Sequence, residues 1–172
     1  MLGLVLLYVA RVLISNGVAR LSNVDDKSVA IMNIFTGVLS VVCNIITICY
    51  AKFTNSQVDF YAAATGLLFG FTYLYVACNT IFNLDKRLYG WYSLFVAINS
   101  VPCGILAFNG FCGDDWRMGI IWLLWGLLWL TGFIECVLNK PLGKLVGYLG
   151  IFEGIVTAWI PGFLMLIGMW NF

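Results

Sequence analysis

Apolar residues run through this chain in six stretches, each about as long as a bilayer is thick and each closed by a short cluster of charged or turn-forming residues. The stretches read as about Leu2–Ala19, Val29–Ala51, Phe60–Phe82, Tyr89–Asn109, Met118–Asn139 and Leu145–Trp170. A helix rises ~1.5 Å per residue, so ~20 apolar residues cross a ~30 Å hydrocarbon core. The pattern predicts an all-α membrane protein, with six transmembrane helices forming one compact bundle. The loops are too short to hold a further domain, so residues 1–172 are expected to be one domain. The first stretch has no basic flank before it, and Arg11 interrupts it. It is expected to be a retained first helix rather than a signal segment.

The pattern inside the stretches is less ordinary. Trp122, Trp125 and Trp129 are spaced i, i+3, i+7 along span five and share one narrow arc of a helix. Membrane tryptophans usually sit at the interfaces, where the indole N–H stays wet. Trp129 lies eleven residues into its span, roughly 16 Å deep. An N–H at that depth needs a partner, and lipid supplies none. Three rings in register suggest a slot lined with flat aromatic faces rather than packing bulk alone. Trp170, at the outer end of span six, reads instead as a replaceable interfacial anchor. Span one carries Leu2, Leu6, Val9, Leu13 and Asn16 at spacings of 4, 3, 4 and 3, the pattern of a packed seam. Phe69 and Tyr73, at i and i+4 on span three, are placed to close a passage against it.

Composition fixes the class. The chain is 62% hydrophobic, 10% charged and has a mean hydropathy of +0.97, outside the range of soluble domains. A net charge of +1 gives no reason to expect a nucleic-acid partner. Arg20, Lys27, Lys86, Arg87, Lys140 and Lys144 follow spans one, three and five, against Lys52 and Arg117 after spans two and four. The richer set belongs in the cytoplasm, which puts both termini outside. The six cysteines form no C-x-x-C pair, and there is no histidine. No metal site, cofactor or catalytic base is expected, and no Cys103–Cys112 disulfide.

Glu153 is the sharpest single residue, because an ionisable group in hydrocarbon is costly and usually faces a cavity or a partner. Depth counting at ~1.5 Å per residue puts Trp129, Tyr73, Leu13 and Glu153 at one level, just inward of the midplane. An ion pair with Arg11 is the structural alternative for Glu153. Arg11 itself is expected to snorkel, to face another subunit, or to pair with Glu135 or Glu153, and Glu135 to reach the inner interface. Pro161 cannot donate to the carbonyl of Thr157, which lies one turn from Glu153. That face offers a carboxyl, a hydroxyl and a freed carbonyl as acceptors for an N–H-rich solute. Pro102 frees the carbonyl of Ile98 and reads as a simple kink.

The segments MLGLVLLYV (1–9), LISNG (13–17), ATGLLFGFTYLY (64–75), WYSLFVAIN (91–99), IIWLLWGLLWLTGFIE (120–135), PLGK (141–144) and EGIVTAWIP (153–161) resemble the AmiS/UreI family of bacterial urea and short-chain amide channels. The match touches all six spans and is closest to the urea-channel branch found with ureases. The resemblance implies a six-helix protomer with its own pore, in a homohexameric ring whose central hole is filled by membrane lipid. It implies a pore lined by Leu2, Leu6, Val9, Leu13, Phe69, Tyr73, Trp122, Trp125, Trp129 and Glu153, with Thr157 beside them. The expected function is passive passage of urea or short amides across the bacterial inner membrane to a cytoplasmic urease. Two departures stand out. Acid-gated gastric members have long outer loops rich in histidine, whereas this chain has none and its outer loops, around Lys52–Asp59 and Gly110–Arg117, are short. A pH response would fall to carboxyls such as Asp59, Asp114 and Asp115, and a free aspartate titrates only near ~3.9. The outermost ladder position is Met118, where a further tryptophan is expected. Two alternatives remain open at this point: a proton-coupled carrier using Glu153, and a membrane scaffold with purely structural aromatics.

Overall fold

The computed structural model describes residues 1–22, 24–113 and 116–170. Helices α1 (Leu2–Leu21), α2 (Asp26–Thr54), α3 (Gln57–Phe82), α4 (Arg87–Phe108) and α5 (Trp116–Cys136) follow one another through short turns. A 3₁₀ turn, Phe111–Gly113, lies between α4 and α5. The last span, Lys144–Leu166, is composite. Its α6 (Lys144–Glu153) runs into a π-helical turn, Gly154–Trp159, and then α7 (Ile160–Leu166). All six spans are long and apolar enough to cross a membrane, and no strand occurs among the described residues. The turns are built from residues suited to them. Asp25 accepts from the Ser28 N–H and Ser56 from the Asp59 N–H, so α2 and α3 begin on side-chain caps. Asn55 and Asn83 end α2 and α3 in the left-handed region, which asparagine tolerates.

The helices pair in three antiparallel couples: α1 with α6–α7, α2 with α3, and α4 with α5. Lipid is as apolar as leucine, so small residues that permit close backbone approach, not hydrophobicity, hold such couples together. Gly3, Gly17, Gly147, Gly154 and Gly162 form the seam of the first couple, Gly37, Gly66 and Gly70 that of the second, and Gly90, Gly104, Gly119, Gly126 and Gly132 that of the third. Polar side chains reinforce the seams. Ser40 donates across the α2–α3 seam to the Gly66 carbonyl at 3.3 Å, and Asn44, which packs on Gly66, is steadied within α2 by donating to the Ser40 carbonyl at 2.7 Å. Packing between couples is sparser, and there the interior opens into cavities.

The π turn is the local answer to Pro161. With no N–H at Pro161, the carbonyl of Thr157 has no α-helical donor, and the chain re-registers over Gly154–Trp159. Arg11 pairs with neither Glu135 nor Glu153. It is exposed and bonds the Ser15 hydroxyl one turn away. Glu135 is instead the partner of Arg20, which also donates to the Gly143 carbonyl at 3.1 Å, while Glu135 accepts the Leu142 N–H at 3.0 Å. No disulfide occurs among the described residues.

The tightest seam gives a direct test. A Cβ at Gly17 would stand 2.6 Å from the Gly147 carbonyl oxygen and 2.7 Å from Ile151 Cγ1. Overpacking of that kind costs about 1–3 kcal/mol. Gly17→Val is expected to lower the thermal unfolding midpoint of the detergent-solubilised protein by several degrees. Val18→Leu, next to it but 47% exposed, is expected to leave it unchanged. Equal midpoints for the two variants would contradict the seam.

Candidate functional site: an aromatic barrier between two vestibules

Two cavities enter the bundle from opposite ends. The first, at the end where Met1 lies, has a volume of about 390 Å³ and is lined by Leu2, Leu6, Val9, Tyr61, Met118, Trp122 and others. The second, at the end where Arg20 and Glu135 lie, has about 820 Å³ and is lined by Leu13, Asn16, Asn33, Thr72, Tyr73, Asn79, Trp129 and others. Only Phe69 and Trp125 line both. These are called the near and far vestibules below. Span one contributes successive levels: Leu2, Leu6 and Val9 to the near vestibule, and Leu13 to the far one.

Phe69 is the hub of the barrier. Its ring centroid lies 6.0 Å from that of Trp122, 4.6 Å from Trp125 and 4.7 Å from Trp129. Trp122 and Trp125 are 5.2 Å apart. The rings meet edge to face or tilted, with interplanar angles from 57° to 83°. The spacing i, i+3, i+7 led to the expectation of a slot lined with flat aromatic faces; here the rings present edges to one another as well as faces. The ring quadrupole favours edge-to-face contacts over flat sandwiches, and Phe69 supplies the edge that the sequence pattern alone did not. The four rings are buried, none more than 7% exposed.

Two matching hydrogen-bond relays hold the indoles in place. Trp125 Nε1–H donates to Thr157 Oγ1 at 2.8 Å, and that hydroxyl donates to the Glu153 carbonyl at 2.6 Å. Trp129 Nε1–H donates to Thr72 Oγ1 at 3.1 Å, and that hydroxyl donates to the Leu68 carbonyl at 2.6 Å. Tyr92 donates to the same carbonyl at 2.6 Å. Each threonine oxygen accepts the indole N–H and its own O–H donates to the carbonyl one turn back, so no polar group of the relay is left open. Thr72 was not picked out from sequence. The signal was present, because Trp129 demanded a partner and Thr72 precedes Tyr73 at the same depth.

The expected site residues fall in two groups. Leu2, Leu6, Val9, Leu13, Phe69, Tyr73, Trp122, Trp125 and Trp129 all line one vestibule or both. Glu153 and Thr157 line neither, and both are fully buried. Thr157 is engaged with Trp125, whereas both carboxyl oxygens of Glu153 lack any hydrogen-bond partner. Trp170 is not a free-standing anchor. It packs against the core, and the Arg117 guanidinium stacks over its ring at 4.8 Å. Asp114 and Asp115 lie outside the described residues. At the far mouth, hydrogen bonds from Arg87 hold Asp85 down to about 2, so its carboxylate keeps its charge across the physiological range.

A six-helix bundle with a cavity at each end and a barrier of buried aromatic rings between them is the architecture of a membrane transport protein. The chain belongs to the AmiS/UreI transporter family, whose model matches residues 1–169. It is 51% identical to a Helicobacter pylori protein named acid-activated urea channel, over 99% of this chain and 100% of that one. It is 39% identical to a Mycolicibacterium smegmatis protein named putative amidate substrates transporter protein, over 98% of this chain and 78% of that one. The crystal structure of the urea channel from Helicobacter pylori superposes with a TM-score of 0.91 at 55% identity, covering 99% of this chain and 100% of that one.

The relays make a stability prediction. Thr157→Val keeps the shape but strands the Trp125 N–H, a loss of about 1–3 kcal/mol for an unpaired buried donor. Thr157→Ser keeps the hydroxyl. Thermal unfolding is expected to separate the two, with Ser near wild type and Val well below it. Equal losses would mean that the methyl group, not the relay, matters.

Proposed function

We propose that this chain is a passive channel for urea and short aliphatic amides. The observation that carries the reading is that both vestibules end on the same Phe69–Trp125 contact, 4.6 Å between centroids, with no charged side chain in the barrier. The names of the relatives support urea and amides as the solute class. Urea is planar, neutral and small, so it passes between rings that part by a small displacement. An ion does not, because nothing in the barrier replaces its hydration. The aliphatic wall of Leu2, Leu6, Val9 and Leu13 keeps binding weak, as fast release requires. The tied-back indoles of Trp125 and Trp129 offer ring faces and edges rather than N–H groups. Thr157 acts from behind the wall, through Trp125, and is itself held by the backbone carbonyl of Glu153.

The basic far end, with Arg20, Lys86, Arg87, Lys140 and Lys144, supports a cytoplasmic far vestibule in a bacterial inner membrane, with both termini outside. The resemblance supports a homohexamer with lipid in its central hole and a cytoplasmic urease as consumer of the solute. Acid gating is not part of the proposal, although one relative is named for it. The alignment with that relative runs over 194 positions, more than this chain has residues, so the relative carries segments with no counterpart here. This chain also lacks histidine, the side chain that ordinarily titrates between pH 5 and 8. A second reading, a proton-coupled carrier, is favoured by one observation: the buried Glu153 carboxyl has no partner.

Stopped-flow and radiotracer urea flux in liposomes tests both readings. Flux is expected to rise linearly into the high millimolar range, to ignore a protonophore, and to agree within about threefold between pH 5 and pH 7.5, less than one unit of coupled pKa shift would give. Saturation at micromolar urea, or collapse with the protonophore, would favour the carrier. A channel open at pH 5 and shut at pH 7.5 would show a carboxyl-based gate and contradict the ungated form of the proposal. No flux at all would return the chain to a scaffold.

A further inference from the structure

The far vestibule carries a set of side-chain amides that the aromatic barrier does not use. Asn79 stands on its wall, 3% exposed, and its Oδ1 is buried with no hydrogen-bond partner. A buried acceptor left unpaired costs about 1–3 kcal/mol, so its persistence asks for an occupant. Asn16 and Asn33 share the wall and close a two-bond ring, Asn16 Nδ2 to Asn33 Oδ1 at 3.1 Å and Asn33 Nδ2 to Asn16 Oδ1 at 2.8 Å. The register of α2 against α3 brings these groups to one level. Gly37 meets Leu74 and the helices are antiparallel, so Asn33, four residues on, is level with Cys78 and one residue from Asn79. Tyr73 lies six residues back along α3, on the same wall, ~9 Å nearer the barrier.

The near vestibule has Leu2, Leu6 and Val9 along α1 and Asn44, Thr47 and Thr65 on α2 and α3, but these three polar side chains already donate to carbonyls of their own helices. A solute leaving the barrier toward the far end passes from ring and aliphatic surface to carboxamides within about two helical turns. The Asn16–Asn33 ring displays the geometry by which one planar amide recognises another, an N–H beside a C=O on one edge. Each amide oxygen in it keeps a second lone pair, and the Asn79 carboxamide adds both a donor and an acceptor.

We propose that the far vestibule holds a second solute site, built on Asn79 with Tyr73 and the Asn16–Asn33 ring, for planar molecules that carry a primary amide edge: urea and short carboxamides. The site receives the solute from the barrier and returns the hydrogen bonds it gave up on entry. Alcohols of the same size lack the paired N–H and C=O edge. The proposal rests on the amide-channel reading for its role in flux, whereas occupancy of the site is independent of it.

Asn79→Leu removes every hydrogen-bonding group of this side chain while keeping its branching and heavy-atom count, and Asn79→Gln restores the amide. In liposomes, urea and acetamide permeability are expected to fall at least threefold in Asn79→Leu, with water permeability changed less than twofold and partial recovery in Asn79→Gln. In crystals of the wild-type protein soaked in selenourea, the anomalous selenium signal is expected beside Asn79, and it is expected to vanish in Asn79→Leu. Amide and water permeabilities that change together, or not at all, overturn the site's role in selectivity. Selenium found only at the aromatic barrier overturns the site itself, whether or not Asn79→Leu can be purified. Wild-type protein that passes neither urea nor acetamide counts against the channel reading alone, and the selenium signal then decides the site by itself.

Discussion

In a bilayer no buried N–H can turn to solvent, and this constraint shapes the centre of the molecule. Two indoles are held deep in the bundle by Trp125–Thr157 and Trp129–Thr72 hydrogen bonds of 2.8 and 3.1 Å. Each threonine is anchored in turn to a carbonyl one turn back, at 2.6 Å in both cases. The consequence is geometric as much as energetic. An indole fixed by its nitrogen presents its remaining surface at a set angle, and Phe69 fits against three such surfaces at once. Without the relays the rings would still be apolar bulk, but nothing would hold their orientation.

The relays depend on the couples that carry them. Trp125 and Trp129 belong to α5, Thr72 to α3 and Thr157 to the π turn of the last span. Each relay therefore bridges two different helix couples, across the sparsely packed space between them. Within a couple, glycines and serines let backbones touch, and the small-residue seams supply the rigidity. Between couples, a few polar bonds and the aromatic cluster fix the spacing while leaving vestibules on either side. Pro161 completes the arrangement by forcing the π turn that holds Thr157.

Much of this was legible in the sequence, for reasons that can be named. The spans were, because twenty apolar residues between charged clusters have one economical explanation; the observed helices start and stop within a few residues of the expected ends. The tryptophan stripe was legible because helical periodicity puts Trp122, Trp125 and Trp129 on one face. The angles between the rings were not, since they depend on Phe69 from another span and on threonines that look unremarkable in sequence. The fate of Arg11 and of Glu135 was also hidden. Periodicity tells which face a residue occupies, but not that Arg20 would reach Glu135 across the bundle. The three vestibule asparagines come together only through the register of α2 on α3 and the approach of α1, neither of which the chain order states.

The central claim is that one contact, Phe69 against Trp125, separates two water-accessible vestibules and sets what passes. The most direct measurement is the permeability of liposomes to urea and to N,N′-dimethylurea, for wild type and for Phe69→Ala. Wild type should pass urea and exclude the dimethyl compound by tenfold or more. Phe69→Ala should admit both at similar rates, with Trp125 still tied to Thr157. A Phe69→Ala protein that folds, conducts urea and keeps its tenfold discrimination would contradict the claim and place the barrier elsewhere.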